Sequence, residues 1–171
     1  MKEPVARPFI EIVAAIREQQ TVVANLLELY AHDFSGFYDV DLGPDGRFGY
    51  ASLPLYWTDP NRHPFLIWVD RKLAGFALVK RGSEVTGNQN VWDLVEFFMA
   101  RGFRRRGIGT SVAHELWRRH PGTWEVRVLE ANVAAFPFWS RAIALFTGKP
   151  VPSIRLEKVG DSWSVFSFET A

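Results

Sequence analysis

Between Arg101 and Thr110 the chain reads Arg-Gly-Phe-Arg-Arg-Arg-Gly-Ile-Gly-Thr. Gly107 and Gly109 lie two positions apart, between an apolar run (Val91 to Met99) and a helical pattern (Thr110 to Arg119). Residue types in that arrangement suit the holding of phosphate. Glycines let a ligand approach the backbone, and a helix start offers unpaired N–H groups carrying partial positive charge. Arg104, Arg105 and Arg106 add fixed cations beside it. The same glycines would also serve a basic strand-to-helix bend that holds nothing.

Other chemistries are excluded by composition or spacing. The 171 residues contain no cysteine, so disulfides, thiolate nucleophiles and cysteine-ligated metals are ruled out. His32 and His63 are isolated, and His114 and His120 stand six apart, off a common helix face, so no metal site is expected. No Walker lysine, dinucleotide fingerprint or serine elbow occurs. The net charge of +1 provides no field for nucleic acid, although Arg101, Arg104, Arg105, Arg106, Arg118 and Arg119 are available locally. No run approaches 18 apolar residues, and Met1 to Pro8 lacks the apolar stretch of a signal peptide. The expectation is a cytoplasmic protein with no membrane or nucleic-acid partner.

These residues must be positioned by a single domain with a substantial core, since 47% of the chain is apolar. Phe9 to Ala14 predicts a strand, and Ala15 to His32 a helix with Val22, Val23, Leu26, Leu27 and Tyr30 at helical offsets. Residues 34–62 read as a long loop, of the kind that is functional or hides a short helix. Pro64 to Val69 and Leu73 to Val79 predict a hairpin turning at Asp70-Arg71-Lys72. After the glycine loop, a helix carries Ile108, Val112, Ala113, Leu116 and Trp117 on one face and stops at His120-Pro121-Gly122. Trp124 to Val128 alternates as a strand. Asn132 is placed to cap a helix running to about Ile143, with Pro137 in its first turn. Ile154 to Val159 and Trp163 to Phe168 predict a closing hairpin.

This order, with Arg104-Arg105-Arg106-Gly107-Ile108-Gly109 between strand and helix, resembles the GNAT family of acyl-CoA-dependent N-acetyltransferases. The family signature is Arg/Gln-x-x-Gly-x-Gly/Ala. Glu96 stands where the family has an acidic residue, eight before the signature arginine. The segment Asn132 to Trp139 is similar to the family's Asn-x-x-Ala-x-x-apolar-Tyr. The likeness spans about Phe9 to Phe168 in element order and is sharp from Val91 to Ile143. It implies a mixed α/β fold: a mostly antiparallel, splayed central sheet of about seven strands flanked by helices. It also implies acetyl-CoA as cofactor, its pyrophosphate on the loop from Arg104 through Arg105, Arg106, Gly107, Ile108 and Gly109 to Thr110. Its pantetheine arm would run along Phe98, Met99 and Arg101, with Asn132, Phe138 and Trp139 facing it. Asn132 can equally be only a helix cap.

The sequence departs from the family at position 139. The tyrosine that protonates the leaving thiolate would fall there, and tryptophan cannot be that acid. The implied reaction is direct transfer to an amine of a small molecule or peptide. It needs a base, which a carboxylate raised by burial can supply. Glu96 and Asp93 are both candidates. Three apart on a regular strand, they would face opposite sides, so only one would face the acceptor. For the acceptor, Tyr30, Asp33, Tyr38 and Asp39 place carboxylates among aromatics, which suits a cationic amine. The plainer alternative is a solvated acidic loop packed on its own rings. The missing tyrosine also leaves open a non-catalytic acyl-CoA-binding regulatory module. A homodimer is a possible assembly, through the edge of the final hairpin with its Trp163, Phe166 and Phe168.

Overall fold

The computed structural model describes residues 7–158 and 160–171. The predicted strand end at Val159, and most of the N-terminal segment read for a signal peptide, lie outside the described residues.

Seven strands form one sheet: β1 (Ile10–Ala14), β2 (Arg62–Val69), β3 (Lys72–Arg81), β4 (Trp92–Met99), β5 (Gly122–Leu129), β6 (Ser153–Lys158) and β7 (Asp161–Thr170). Their spatial order is β1-β2-β3-β4-β5-β7-β6. Every neighbouring pair is antiparallel except β4 and β5. That parallel pair partners only Trp92 with Trp124, Asp93 with Glu125 and Leu94 with Val126. Beyond Leu94 the two strands are no longer paired, and the sheet splays.

Three α-helices cover the sheet: α1 (Gln20–Phe34), α2 (Ile108–Arg119) and α3 (Ala135–Thr147). On one face α2 and α3 bury Ile108, Val112, Leu116, Trp117, Trp139 and Ile143 against Val79, Leu94, Val126 and Phe166. On the other, α1 and a short 3-10 helix (Leu53–Trp57) bury Val23, Leu26, Leu27, Leu53 and Tyr56 against Leu66, Phe76, Leu78 and Phe98. Each fully buried aliphatic side chain contributes about 1.5–3 kcal/mol, so each helix is held chiefly by its apolar stripe.

Several boundaries differ from the sequence reading. The first helix starts at Gln20, because the Ala15 N–H donates to Pro64 O and keeps that residue in the sheet. A 3-10 turn over Arg17–Gln19 intervenes, and the Ile16 N–H donates to Gln19 Oε1. The long loop does contain a short helix, at Leu53–Trp57. Asn132 is not the cap of α3, whose cap is Ala134 with no side-chain bond. Asn132 is spent in a turn, its N–H on Leu129 O and its carbonyl accepting from Ala135. Of the three aromatic residues of the final hairpin, Phe166 and Phe168 are buried in the core and Trp163 is partly exposed. β7 lies inside the sheet, and the edge strand is β6.

Candidate active site

The glycine loop leaves β4 through a 3-10 turn at Arg101–Phe103 and enters α2 at Ile108. Gly107 takes φ +75, a left-handed conformation that non-glycine residues adopt at a cost, and Arg105 also has positive φ. A Cβ on Gly107 would meet nothing within 4 Å, so the glycine serves the turn and not a tight contact. No side chain caps the helix. The first N–H to find a helical acceptor is that of Ser111, on Gly107 O. The amides of Ile108, Gly109 and Thr110 are therefore open donors at the positive end of the helix dipole. Gly109 fits beneath an aromatic wall, its Cβ position 3.3 Å from Phe138 Cζ and close to Phe97. Arg105 and Arg106 are exposed. This donor set, with its exposed cations, fits a pyrophosphate-bearing ligand.

Arg101 and Arg104 point elsewhere. Both bind Asp33 in the last turn of α1, Arg101 Nη2 on Oδ1 and Arg104 Nη2 on Oδ2, each at 2.6 Å. Arg104 Nε also donates to Met99 O at 2.6 Å, so the carbonyl of a residue expected along the pantetheine arm already accepts one bond. The Arg104 guanidinium lies 5.4 Å over the Phe98 ring, and Phe98 itself is buried toward α1.

The two carboxylates of β4 share one face, contrary to the alternation expected of a regular strand. Across β3 the register steps from Val79 opposite Leu94 to Leu78 opposite Glu96, so Val95 has no partner and forms a bulge. The extra residue resets the alternation and brings Asp93 and Glu96 to the α1 side.

Their surroundings then separate them. The Asp93 side chain is 0% exposed, paired with Arg127 Nη2 at 2.8 Å and near Lys80 Nζ at 4.0 Å. Burial raises its carboxyl above the usual range despite those two cations. Glu96 is half-buried just past the last β4–β5 pairing. Tyr50 Oη donates to Glu96 Oε1 at 3.0 Å, with the Tyr30 hydroxyl beside the same carboxylate. Burial raises the Glu96 carboxyl as well, against the hydrogen bonds of Tyr30 and Tyr50 that lower it. Burial, followed by the Glu96 charge, pushes the Tyr50 and Tyr30 phenols far up, so both remain protonated donors. The Tyr56 hydroxyl is buried, with no hydrogen-bond partner among the described residues.

Tyr50 is delivered by the 34–62 loop, which α1 ties down: Glu28 Oε2 accepts from the Phe48 N–H at 2.8 Å and Oε1 from the Gly49 N–H at 3.0 Å. Of the four residues expected at the acceptor, Tyr30 lies against Glu96 and Asp33 is taken by the two arginines. Tyr38 helps line a cavity of about 210 Å³ with Glu84, Arg127, Leu156, Lys158 and Trp163. Asp39 is exposed and not brought to Glu96 by any hydrogen bond or ion pair among the described residues.

A charged cluster beneath that cavity escaped the sequence reading. The exposed Glu84 binds Lys80, Arg127 and Lys158, while the buried Glu125 accepts from Ser83 Oγ at 2.6 Å. The signal was present in Trp124-Glu125-Val126-Arg127-Val128, where the polar positions of an alternating strand need not face water. At the position of the expected general acid, Trp139 is a core residue, edge-on to Phe97 at 5.2 Å. His114 Nε2 bonds Ala142 O, and among the described residues no group of three potential ligands could hold a metal ion. No helix among them is long and apolar enough to cross a membrane.

Comparison with known proteins agrees with this geometry. The sequence profile described as the acetyltransferase (GNAT) family matches residues 23–143. No curated protein sequence matches the chain. Among solved structures, an acetyltransferase from Thermus thermophilus superposes with a TM-score of 0.70 at 12% identity, covering 94% of this chain and 97% of that one. A GNAT-family acetyltransferase from Staphylococcus aureus gives 0.59 at 13%, over 92% and 98%. A spermidine N-acetyltransferase chimera from Vibrio cholerae gives 0.61 at 9%, over 94% of each. At these identities the likeness is one of fold.

Proposed function

Because the chain belongs to the GNAT acetyltransferase family, we propose that it transfers an acetyl group from acetyl-CoA directly to the amine of a small molecule or peptide. The observation that carries this reading is the splay beyond Leu94 and Val126: the open N–H groups of the glycine loop follow one lip, and the half-buried carboxylate of Glu96 stands on that same strand. The amides of residues 105–110, with Arg105 and Arg106, would hold the pyrophosphate. Glu96, directly or through one water, would take the proton from an acceptor ammonium and leave a neutral amine. That nitrogen attacks the thioester carbonyl, the C–N bond forms, the C–S bond breaks, and the thiolate leaves. Trp139 cannot protonate it, so the second proton, released by the nitrogen as the adduct collapses to the amide, would reach the thiolate through water or another acid. Asp93, locked between Arg127 and Lys80, is read as structural.

The test is calorimetric titration with acetyl-CoA and dephospho-CoA, followed by thiol release over a panel of amines. Micromolar binding, weaker without the 3′-phosphate, with turnover that collapses in Glu96→Gln, is the expected result. Absence of acetyl-CoA binding would end the reading. One observation favours a second reading, a non-catalytic acyl-CoA-binding regulatory module: the acid position is filled by a core tryptophan. Tight coenzyme binding with no turnover on any amine would select it.

A further inference from the structure

Asp33 stands in the last turn of α1, where the helix dipole disfavours negative charge, so helix stability does not explain it. It also lies beside a loop built for an anion, where a carboxylate opposes ligand binding by charge alone. Its geometry is nonetheless specific. Its two oxygens each accept from a different arginine at 2.6 Å, across 68 and 71 residues of sequence. Arg101 is 76% exposed while Asp33 is 22% exposed, so the carboxylate is the more enclosed partner of that pair. Arg104 is held further by Met99 O and by the face of Phe98. One side chain of α1 thus ties both ends of the segment that turns β4 into the glycine loop.

We propose that Asp33 is a positioning residue for coenzyme binding: by holding Arg101 and Arg104 across the base of the loop, it keeps the amides of residues 105–110 in their open arrangement. Phosphate recognition is then left to those amides and to Arg105 and Arg106. This inference rests on the loop being the coenzyme site, and it withdraws Asp33 from the amine pocket.

The sign of one measurement decides the matter. In Asp33→Asn, loss of a negative charge near a polyanion would tighten acetyl-CoA binding if the carboxylate merely competed for the arginines. Positioning requires the opposite. Two partly exposed charge pairs correspond to about tenfold weaker binding by calorimetry. The coenzyme KM should rise in step and the acceptor KM should stay in place, while Asp33→Glu recovers part of the loss. Arg101→Gln, on an exposed side chain, should reproduce a smaller share of the weakening and serves if the Asp33 variants do not fold. Unchanged or tighter coenzyme binding in Asp33→Asn overturns the inference, as does an acceptor KM that rises with coenzyme affinity unmoved. Failure of the unsubstituted protein to bind acetyl-CoA removes the reading beneath it as well. Retained binding with no response at Asp33 removes this inference alone.

Discussion

Glu96 and Asp93 are the same chemistry in two environments, and the difference lies in what each carboxylate touches. Asp93 meets guanidinium and ammonium and is sealed from solvent; Glu96 meets two phenols and stands at an opening. A base must exchange its proton with a ligand, which Glu96 can do and Asp93 cannot without breaking an ion pair. Glu96→Gln should lower kcat/KM about a hundredfold with coenzyme affinity retained. The acid limb of the kcat/KM profile should turn above the ordinary carboxylate range, because burial raises Glu96, and should vanish in the variant. In Tyr50→Phe one hydrogen bond to the ionised form is lost, so that limb should move to still higher pH. A limb unmoved by either substitution would exclude Glu96 as the base.

At the scale of elements, the loop and helix proposed to cradle the coenzyme's pyrophosphate depend on Gly107. Its left-handed φ and the empty space around it make the cost of a side chain a backbone cost alone. Gly107→Ala should lower unfolding stability by about 1 kcal/mol in chemical denaturation, and Gly107→Asn should lose less, since asparagine tolerates that conformation. Equal losses in the two variants would mean that steric contact, not φ, sets the requirement. The bulge at Val95 is the other decisive local feature. A strand pattern read as regular alternation assigns Asp93 and Glu96 to opposite faces, and a single unpartnered residue brings them together. Bulges arise from the register with the neighbouring strand, which a local pattern does not contain.

Across the whole molecule, the charged cluster joins elements distant in sequence: Lys80 and Glu84 from the β3 end, Asp93 from β4, Arg127 from β5 and Lys158 from β6. Removing one member of a buried pair strands its partner, so Asp93→Asn should destabilise by about 3 kcal/mol in urea unfolding. Folded enzyme should retain most of its turnover. Lost turnover in an equally stable protein would instead make Asp93 the base. Glu84 sets an acid limit to stability. Hydrogen bonding from Lys80 first, then the charges of Arg127 and Lys80, lower its carboxyl to about 2 from the ordinary 4.5. Its stabilisation is complete above the unfolded value and is lost as pH falls from 4.5 through about 2. Denaturation curves of wild type and Glu84→Gln should therefore differ at pH 6 and converge near pH 2; a constant gap would show that the charge is not the stabilising property.

Fold class, element order and the glycine turn between β4 and α2 were all legible in the amino-acid sequence. Each rests on local information: apolar periodicity, glycines that permit a turn, and arginines beside them. The lack of an acid at position 139 was legible too, since it is a matter of side-chain chemistry. Folding assigned the roles of residues whose partners lie far along the chain. Asp33, read locally as an acid among aromatics, is claimed by arginines some seventy positions away. Met99, expected along the pantetheine arm, has its carbonyl claimed by Arg104. Asn132, a fair cap by type, is spent in a turn that delays the helix. The setting of Glu96, one of the two carboxylates the sequence offered, is made only by the bulge, the splay, and a phenol carried in by a loop that Glu28 holds. Periodicity is written in neighbouring residues, whereas burial and charge pairing are properties of the folded chain.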